Sequence, residues 1–195
     1  MVDRRRIISN GLNVKFPAAY RRTLGFTFSN STYYIITSFR LKGSDTLKFS
    51  FSATGACNVL GCYTTTSAQT NYSLYVNTGT SAYLRYNGGA YNSQITSNTR
   101  YDVTLTPTGS SGMKVDSTWT AKDFTSDSDF CIGTTSTGAT SAKLTGSIYG
   151  NIEVKGRAIF VPCERLSDNV LGYYEIYSKT FYAPTGGNPT SLGYA

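Results

Sequence analysis

Apolar and polar residues alternate in short stretches along most of the chain. From Leu47 onward every second residue of DTLKFSFSA (residues 45–53) is apolar, and RYDVTLTP (residues 100–107) repeats the pattern. This alternation is typical of β-strands that bury one face and leave the other in water. The pattern predicts an all-β protein.

Further strands are predicted at residues 24–28, 33–41, 58–64, 72–76, 82–86, 113–122, 130–133, 144–154, 158–161 and 172–176. The segments between them are rich in Gly, Asn, Asp, Ser and Thr, which favour turns. Short strands at this spacing predict a two-sheet antiparallel sandwich. Helical periodicity is absent, apart from a stretch at residues 163–172 that is long enough for one turn.

Positive charge is concentrated towards the amino-terminal end. Residues 1–48 contain nine of the 18 Lys and Arg residues and only two acidic ones, so they hold the entire net charge of +7. A basic segment before a neutral body is typical of an arm that docks on an acidic surface, and a solvated tail is the alternative. We predict an extended basic anchoring arm at 1–18 and one β-sandwich domain at 19–195. The arm residues predicted to contact a neighbouring subunit are Arg4, Arg5, Arg6, Ile7 and Ile8.

The sequence contains no apolar run long enough to span a membrane, and no secretion signal follows its first basic residues. We therefore expect no membrane insertion. The cysteines, Cys57, Cys62, Cys131 and Cys163, are expected to be reduced and buried as small apolar residues, with two disulfides as the alternative. No zinc site is expected, because the chain has no histidine.

The absence of histidine also removes the commonest general base. Sites of the Ser-His-Asp, Cys-His and HExxH types are thereby excluded. Asp127 and Asp129 have the two-residue spacing that places side chains on one strand face, but the surrounding TSDSDF is typical of a solvated turn. We predict no catalytic residues and no enzymatic activity. A calcium site formed by Asp123, Asp127 and Asp129 is the alternative role of this loop, and no other cofactor is expected.

Aromatic residues are numerous, with 16 Tyr, 10 Phe and one Trp. Aromatic faces beside amide groups can stack on sugar rings, and several tyrosines lie close in sequence to asparagines. Tyrosine also fills protein cores while its hydroxyl reaches water, so each of these residues has a structural alternative. The residues predicted to bind a glycan are Trp119, Tyr63, Tyr72 and Tyr91.

The last part of the chain carries a series of short motifs. They are a Pro-Cys-x-Arg element, a Ser-Asp turn, a Gly-x-Tyr-acidic element and a Phe-Tyr pair, formed here by Pro162, Cys163, Arg165, Ser167, Asp168, Gly172, Tyr173, Tyr174, Glu175, Phe181 and Tyr182. With these motifs, residues 159–195 resemble the closing segment of concanavalin A-like (laminin G-like) jelly-roll domains of virion proteins of tailed phages of gut bacteria. Residues 16–52 are similar to the opening of such domains, so that the resemblance spans about residues 17–195.

Within the closing segment we expect Pro162 to end a strand and the later aromatic residues to cover the open end of a sheet. Arg165 and Asp168 are expected to pair across the turn. Glu175 stands where the family usually has Asp, and we expect this change to have no consequence.

The resemblance implies a concanavalin A-like jelly-roll sandwich without the Glu-x-Asp-x-Glu strand of the glucanases that share this fold. Similar domains act as carbohydrate-binding or structural modules on virions. We expect a non-enzymatic virion structural protein, such as a capsid decoration, head-fibre or tail accessory component, anchored by its basic arm. The alternative is a carbohydrate-binding module that attaches the particle to host surface glycans.

The expected partners are other virion proteins in a homo- or hetero-oligomeric assembly and, in the alternative, host glycans. Assembly is expected in the host cytoplasm, with the virion as the final location. Nucleic acid is not an expected partner, because the body of the chain is neutral and has no recognised nucleic-acid-binding motif.

Overall fold

The computed structural model describes residues 6–9, 12–29, 33–65, 68–135 and 143–195. Within these ranges the chain forms β-strands and one 3-10 turn at Ala68–Thr70, but no α-helix, which confirms the all-β prediction. The strands in chain order are β1 (Arg6–Ser9), β2 (Leu12–Lys15), β3 (Tyr20–Arg22), β4 (Gly25–Phe28), β5 (Tyr34–Ile36), β6 (Leu47–Ala53), β7 (Cys57–Cys62), β8 (Tyr72–Thr78), β9 (Ser81–Tyr86), β10 (Gly89–Gln94), β11 (Tyr101–Thr106), β12 (Gly109–Ser111), β13 (Cys131–Ile132), β14 (Gly146–Val154), β15 (Ala158–Arg165), β16 (Val170–Glu175), β17 (Thr180–Tyr182), β18 (Pro184–Thr185) and β19 (Thr190–Ser191).

Two antiparallel sheets form a β-sandwich, as predicted. The smaller sheet has the strand order β10-β9-β8-β7-β13-β5-β18, and the main path of the larger sheet is β12-β11-β6-β14-β15-β16-β17. Strand β3 extends the larger sheet beside β15, β4 pairs with β14, and β19 pairs with β4.

The inner faces of the two sheets share one apolar core. Phe130, immediately before β13 of the smaller sheet, lies with its ring centroid 5.5 Å from that of Phe160 in β15 of the larger sheet. Both side chains are fully buried. Burying an aromatic or large aliphatic side chain stabilises a fold by about 1.5–3 kcal/mol, so such contacts across the sandwich hold the sheets together.

A second apolar cluster lies on the outer face of the larger sheet. Ile159, Val161 and Cys163 alternate with Phe160 along β15, and they pack with Phe16 and Tyr174. The ring centroids of Phe16 and Tyr174 are 5.6 Å apart, in an edge-to-face arrangement. Because apolar residues cover both faces of β15, its sequence is a continuous apolar run rather than an alternating one.

Pro162 does not end its strand, contrary to our expectation. Strand β15 continues to Arg165 and pairs with β16 through Pro162 and beyond. The Pro162 carbonyl accepts a hydrogen bond from the Thr23 backbone N–H at 3.0 Å, on the side of β15 opposite β16. In an antiparallel strand the backbone nitrogen and carbonyl of one residue point to the same side. The Pro162 nitrogen therefore also faces away from β16, at the point where the pairing with β14 has ended at Phe160 and the pairing with β3 begins at Cys163. No partner strand needs an N–H group there, so a proline is tolerated.

The structure also differs from the predicted strands on either side of β11. Gly89–Gln94, which the sequence suggested to be a turn, forms β10 and pairs with all of β9. Asn87 and Gly88 have φ angles of 47° and 81°, the left-handed conformation that a tight hairpin turn requires. The predicted strand at 113–122 makes only isolated bridges, and the Asp116 carboxylate there accepts a local hydrogen bond from the Met113 N–H at 3.2 Å.

The predicted arm is not extended over the part that the structure describes. Strands β1 and β2 pair with each other as an antiparallel hairpin, with Arg6 opposite Lys15. This hairpin joins neither sheet of the sandwich. Phe16 follows the hairpin directly and is buried in the outer cluster. Of the predicted anchoring residues, Arg6, Ile7 and Ile8 lie in β1, whereas Arg4 and Arg5 lie outside the described residues.

The closing segment is held by a buried carboxylate. Glu175, which is 4% exposed, accepts hydrogen bonds from the backbone N–H groups of Ile159 at 3.0 Å, Tyr177 at 3.0 Å and Ser178 at 2.6 Å. These bonds tie the turn after β16 to the start of β15. Arg165 and Asp168 pair across the preceding turn as expected, at 2.6 Å.

Replacing Glu175 with Ala should lower the free energy of unfolding by about 3 kcal/mol, because three backbone N–H groups lose their acceptor. Chemical denaturation monitored by circular dichroism measures this loss. The control is Asp168→Asn in the exposed turn, which should change stability much less. An equal effect of the two substitutions would contradict the role given to Glu175.

The four cysteines are unpaired and buried, as the sequence predicted. Burial raises the pKa of the thiols of Cys62, Cys131 and Cys163 to about 12 and also raises the pKa of Cys57. Thiolate is the reactive form, so these groups are inert near neutral pH.

A thiol-reactive chromophore at pH 8 should label none of the four cysteines in the native protein and all four after unfolding. Rapid labelling of the native state, or fewer than four reactive thiols after unfolding, would contradict the burial or the reduced state.

An unfolded thiol ionises near pH 8.5. The stability that the protonated thiols contribute is therefore fully present below that pH, and it should be lost as the pH rises towards 12.

Candidate saccharide-binding surface

A row of stacked side chains lies on the outer face of the smaller sheet. Tyr75 in β8 and Tyr83 in β9 are directly opposite each other, and their ring centroids are 5.2 Å apart with the planes inclined by 13°. The guanidinium carbon of Arg85 lies 4.4 Å from the ring centroid of Tyr75 and 4.2 Å from that of Tyr63. We call Tyr63, Arg85, Tyr75 and Tyr83 the tyrosine–arginine ladder.

The alternation along β8 and β9 places the ladder outside the core. Leu74, Val76 and Leu84 are buried against the larger sheet, so the residues between them point to the opposite face. All four ladder residues are partly exposed. Each strand thus contributes apolar anchors to the core and aromatic or cationic side chains to the surface.

Tyr63 is positioned by Asn71, which is 2% exposed. The Asn71 side chain accepts a hydrogen bond from the Thr64 backbone N–H at 2.8 Å and donates one to the Thr64 carbonyl at 3.2 Å. The main-chain carbonyl of Asn71 accepts a hydrogen bond from the N–H of Asn87, the first residue of the β9–β10 turn. Through its side chain and its main chain, this one buried residue therefore holds the segment that carries Tyr63 against the turn that follows Arg85.

Gly61 allows β7 to approach β8 closely beside the ladder. It has a φ of +135°, and a Cβ atom there would lie 2.4 Å from the Cα of Ser73. Any larger residue would push the two strands apart and move Tyr63 away from Arg85.

The ladder borders a pocket of about 190 Å³ at the turn end of β9. Tyr63, Thr64, Asn71, Arg85 and Gly88 contribute to its wall. Asn92 lies directly opposite Tyr83 on β10 and is exposed, so an amide group stands beside the outermost ring of the ladder. Its carbonyl oxygen accepts a hydrogen bond from the Ser81 hydroxyl at 3.3 Å.

The predicted glycan-binding residues do not form one surface. Tyr63 belongs to the ladder, whereas Tyr72 and Trp119 are 1% and 8% exposed and lie in the core. The Tyr72 hydroxyl donates to the Asp45 carbonyl at 3.2 Å. Tyr91 points inward from β10, and its ring centroid is 5.1 Å from that of Trp119. Tyr72 and Trp119 thus have no ring face open to a sugar.

The prediction of glycan-binding residues omitted Tyr75, Tyr83 and Arg85. The sequence does contain a signal for them, because YSLYVNTGTSAYLRYNGG has the pattern of a hairpin in which these three residues fall on one face. That pattern could have separated the surface tyrosines from the core ones.

The three aspartates of the predicted calcium site do not converge. Asp127 accepts a hydrogen bond from the Thr70 hydroxyl at 3.1 Å, and Asp129 pairs with Arg40 at 3.5 Å. Among the residues that the structure describes, no group of three or more His, Cys, Asp or Glu side chains is arranged to hold a metal ion.

The carboxylates of Glu164 and Glu175 are engaged within the fold. Glu164 is buried and forms an ion pair with Arg21, and Glu175 caps the turn after β16. Arg21 also lies over the ring of Tyr194, 3.7 Å from its centroid. These contacts tie carboxylates to the scaffold rather than to the ladder.

No protein-family model matches the chain, and a search of curated proteins found no similar sequence. Over the described ranges there is no helix of the length and apolarity needed to cross a membrane.

Proposed function

We propose that the protein is a non-enzymatic saccharide-binding β-sandwich and that the tyrosine–arginine ladder is its binding surface. The stacking of Tyr75, Tyr83 and Arg85 on an outer sheet face is the observation that supports this proposal most directly. A sugar presents apolar C–H faces and many hydroxyl groups. The ladder offers aromatic area together with phenol, guanidinium and amide groups, and therefore matches both kinds of surface.

Tyr83 is the ring best placed to receive a sugar. One of its faces is covered by Tyr75, and no other ring or cation among the described residues stacks on its second face. The exposed amide of Asn92 lies next to it. Tyr75, by contrast, is enclosed between Tyr83 and Arg85 and acts as the support of the row.

The surroundings of the ladder favour a saccharide over a protein partner. Apart from Ala90, the neighbouring outward residues on β8 to β10 are mostly polar, among them Asn77, Ser81, Asn92 and Gln94. The centres of protein–protein interfaces are more apolar than this and cover a larger area.

We further propose that the sandwich is a concanavalin A-like jelly roll carried by a phage virion, as a decoration, head-fibre or tail accessory component. Its support is the resemblance of residues 159–195 together with the two-sheet antiparallel architecture. In this setting the ladder would attach the particle to host surface glycans.

Tyr83→Ala should weaken saccharide binding by about tenfold, equivalent to roughly 1.4 kcal/mol of lost stacking. An array of bacterial surface polysaccharides would identify a ligand, and calorimetry with that ligand would measure the loss. Tyr177→Ala is the matched control, because Tyr177 is 43% exposed in the turn after β16. The proposal fails if no saccharide on the array is bound, or if both substitutions weaken binding equally.

A second function, anchoring to a larger assembly, is favoured by the hairpin of β1 and β2. The hairpin pairs with neither sheet of the sandwich, and the basic residues Arg6 and Lys15 lie opposite each other in it. An element outside the sandwich can contact a neighbouring subunit without disturbing the fold.

Deleting residues 2–15 should leave the thermal unfolding of the sandwich nearly unchanged, because Phe16 and the outer cluster are retained. Incorporation into particles should be lost. A deletion of residues 184–191 cannot serve as the control, because it would remove β18 and β19, which pair with the two sheets of the sandwich. Normal incorporation of the shortened chain, measured on purified particles, would exclude anchoring by the hairpin.

A further inference from the structure

We propose, on the basis of the saccharide-binding function above, that the ligand is an acidic saccharide and that Arg85 binds its carboxylate group. The guanidinium of Arg85 is positioned by the rings of Tyr63 and Tyr75, at 4.2 and 4.4 Å. Its hydrogen-bonding capacity is nevertheless unused within the described part of the chain.

The two rings hold the guanidinium without occupying its donors. A planar cation between aromatic faces is stabilised by cation–π attraction, and its N–H groups remain at the edge of the plane. Because the long Arg85 side chain is already restricted before the ligand arrives, it loses less conformational entropy on binding. The ladder thus fixes a fork of donors of the shape that a carboxylate accepts in a bidentate manner.

Among the described residues Arg85 has no carboxylate partner, in contrast to several other arginines. Arg21, Arg157 and Arg165 each form an ion pair with a carboxylate. For Arg85 there is neither an ion pair nor a hydrogen bond to any residue in the described ranges.

The sequence explains why this cation is unpaired. Residues 46 to 101 contain no Asp or Glu at all, and Arg85 is the one charged residue between Lys48 and Arg100. Strands β7 to β10 all fall within this stretch. A lone positive charge on a neutral sheet face is electrostatically complementary to one negative group.

The position next to Arg85 contains a second unsatisfied polar group. Ser73 is directly opposite Arg85 in the β8–β9 register and is 1% exposed. Its hydroxyl is buried and has no hydrogen-bond partner in the structure. The Ser73 hydroxyl thus takes up none of the Arg85 donors.

A single cation favours an acidic saccharide over a nucleic acid. Nucleic acids bind through several phosphate contacts at once, which need several lysines or arginines. The ladder supplies one cation, together with ring surface and hydroxyl groups. The guanidinium fork can hold the two oxygens of a carboxylate in a bidentate pair. It fits a sulfate or phosphate in the same way, so the titration below includes a sulfated polysaccharide to distinguish them.

The test uses the full-length protein and calorimetric titration with three polysaccharide fragments, a polyuronate, a sulfated dextran and neutral dextran. We expect the polyuronate to bind best, and Arg85→Gln to weaken its binding by about tenfold or more, the effect of losing one charge-assisted contact. Arg85→Lys should weaken it by a smaller factor, since an ammonium keeps the charge without the planar fork. Lys155→Gln, in the exposed turn between β14 and β15, is the control with the same change of net charge and should have no effect.

Thermal melts of the three variants establish that each is folded before binding is compared. The inference is overturned if the polyuronate binds Arg85→Gln as well as the parent protein, or if the sulfated dextran binds more tightly than the polyuronate. Binding of neutral dextran alone, lost in Tyr83→Ala, would also overturn it and would leave the saccharide-binding function intact. Binding of none of the three would count against both proposals. Tighter binding of a single-stranded oligothymidylate, dependent on Arg85, would assign the surface to nucleic acid instead.

Discussion

The alternation of side chains along β8 and β9 is the constraint on which the proposed surface depends. Leu74, Val76 and Leu84 have to enter the core, and the pleat then forces Tyr75, Tyr83 and Arg85 to the outer face. Changing the register by one residue would place a guanidinium in the core and leucines in water, at a cost that no surface contact could offset. The core therefore determines the geometry of the ladder, although the ladder contributes little to the core.

The opposite sheet uses its two faces differently. In β15, Phe160 packs across the sandwich, while Ile159 and Val161 are covered from outside by Phe16 and its neighbours. Along β15 the larger sheet is thus buried on both sides and has no open face for a ligand. The outer face of the smaller sheet is instead partly exposed where it carries the ladder. The buried carboxylate of Glu175 reinforces this division, because it holds the closing segment to β15 through backbone hydrogen bonds.

The fold class could be predicted from the sequence because the alternation of apolar and polar residues is a local property, and it matches the alternation of buried and exposed side chains along β6 and β11. Details that depend on neighbours could not be predicted. Pro162 was expected to end a strand, since nothing local shows that its nitrogen faces a gap between two partner strands. Trp119 was expected at the surface, but it lies over Tyr86 with ring centroids 5.2 Å apart, which only the folded chain reveals. Tyr63 lies in the ladder, and its glycan-binding role stays a prediction; its contact with Arg85 depends on how three strands pair, which the sequence does not show.

Charge is a further property that sequence alone describes incompletely. The excess of basic residues in the first quarter of the chain indicated a partner, yet Arg21, Arg40 and Arg157 from different parts of the chain are paired with carboxylates inside the structure. Counting charges along the chain treats these arginines and Arg85 alike. Pairing separates them, because a cation with an internal counter-ion has little left to offer a ligand, whereas Arg85 keeps both its charge and its donors. Arg85 thus lies outside the basic first quarter of the chain, within residues 49–195, whose basic and acidic residues are equal in number.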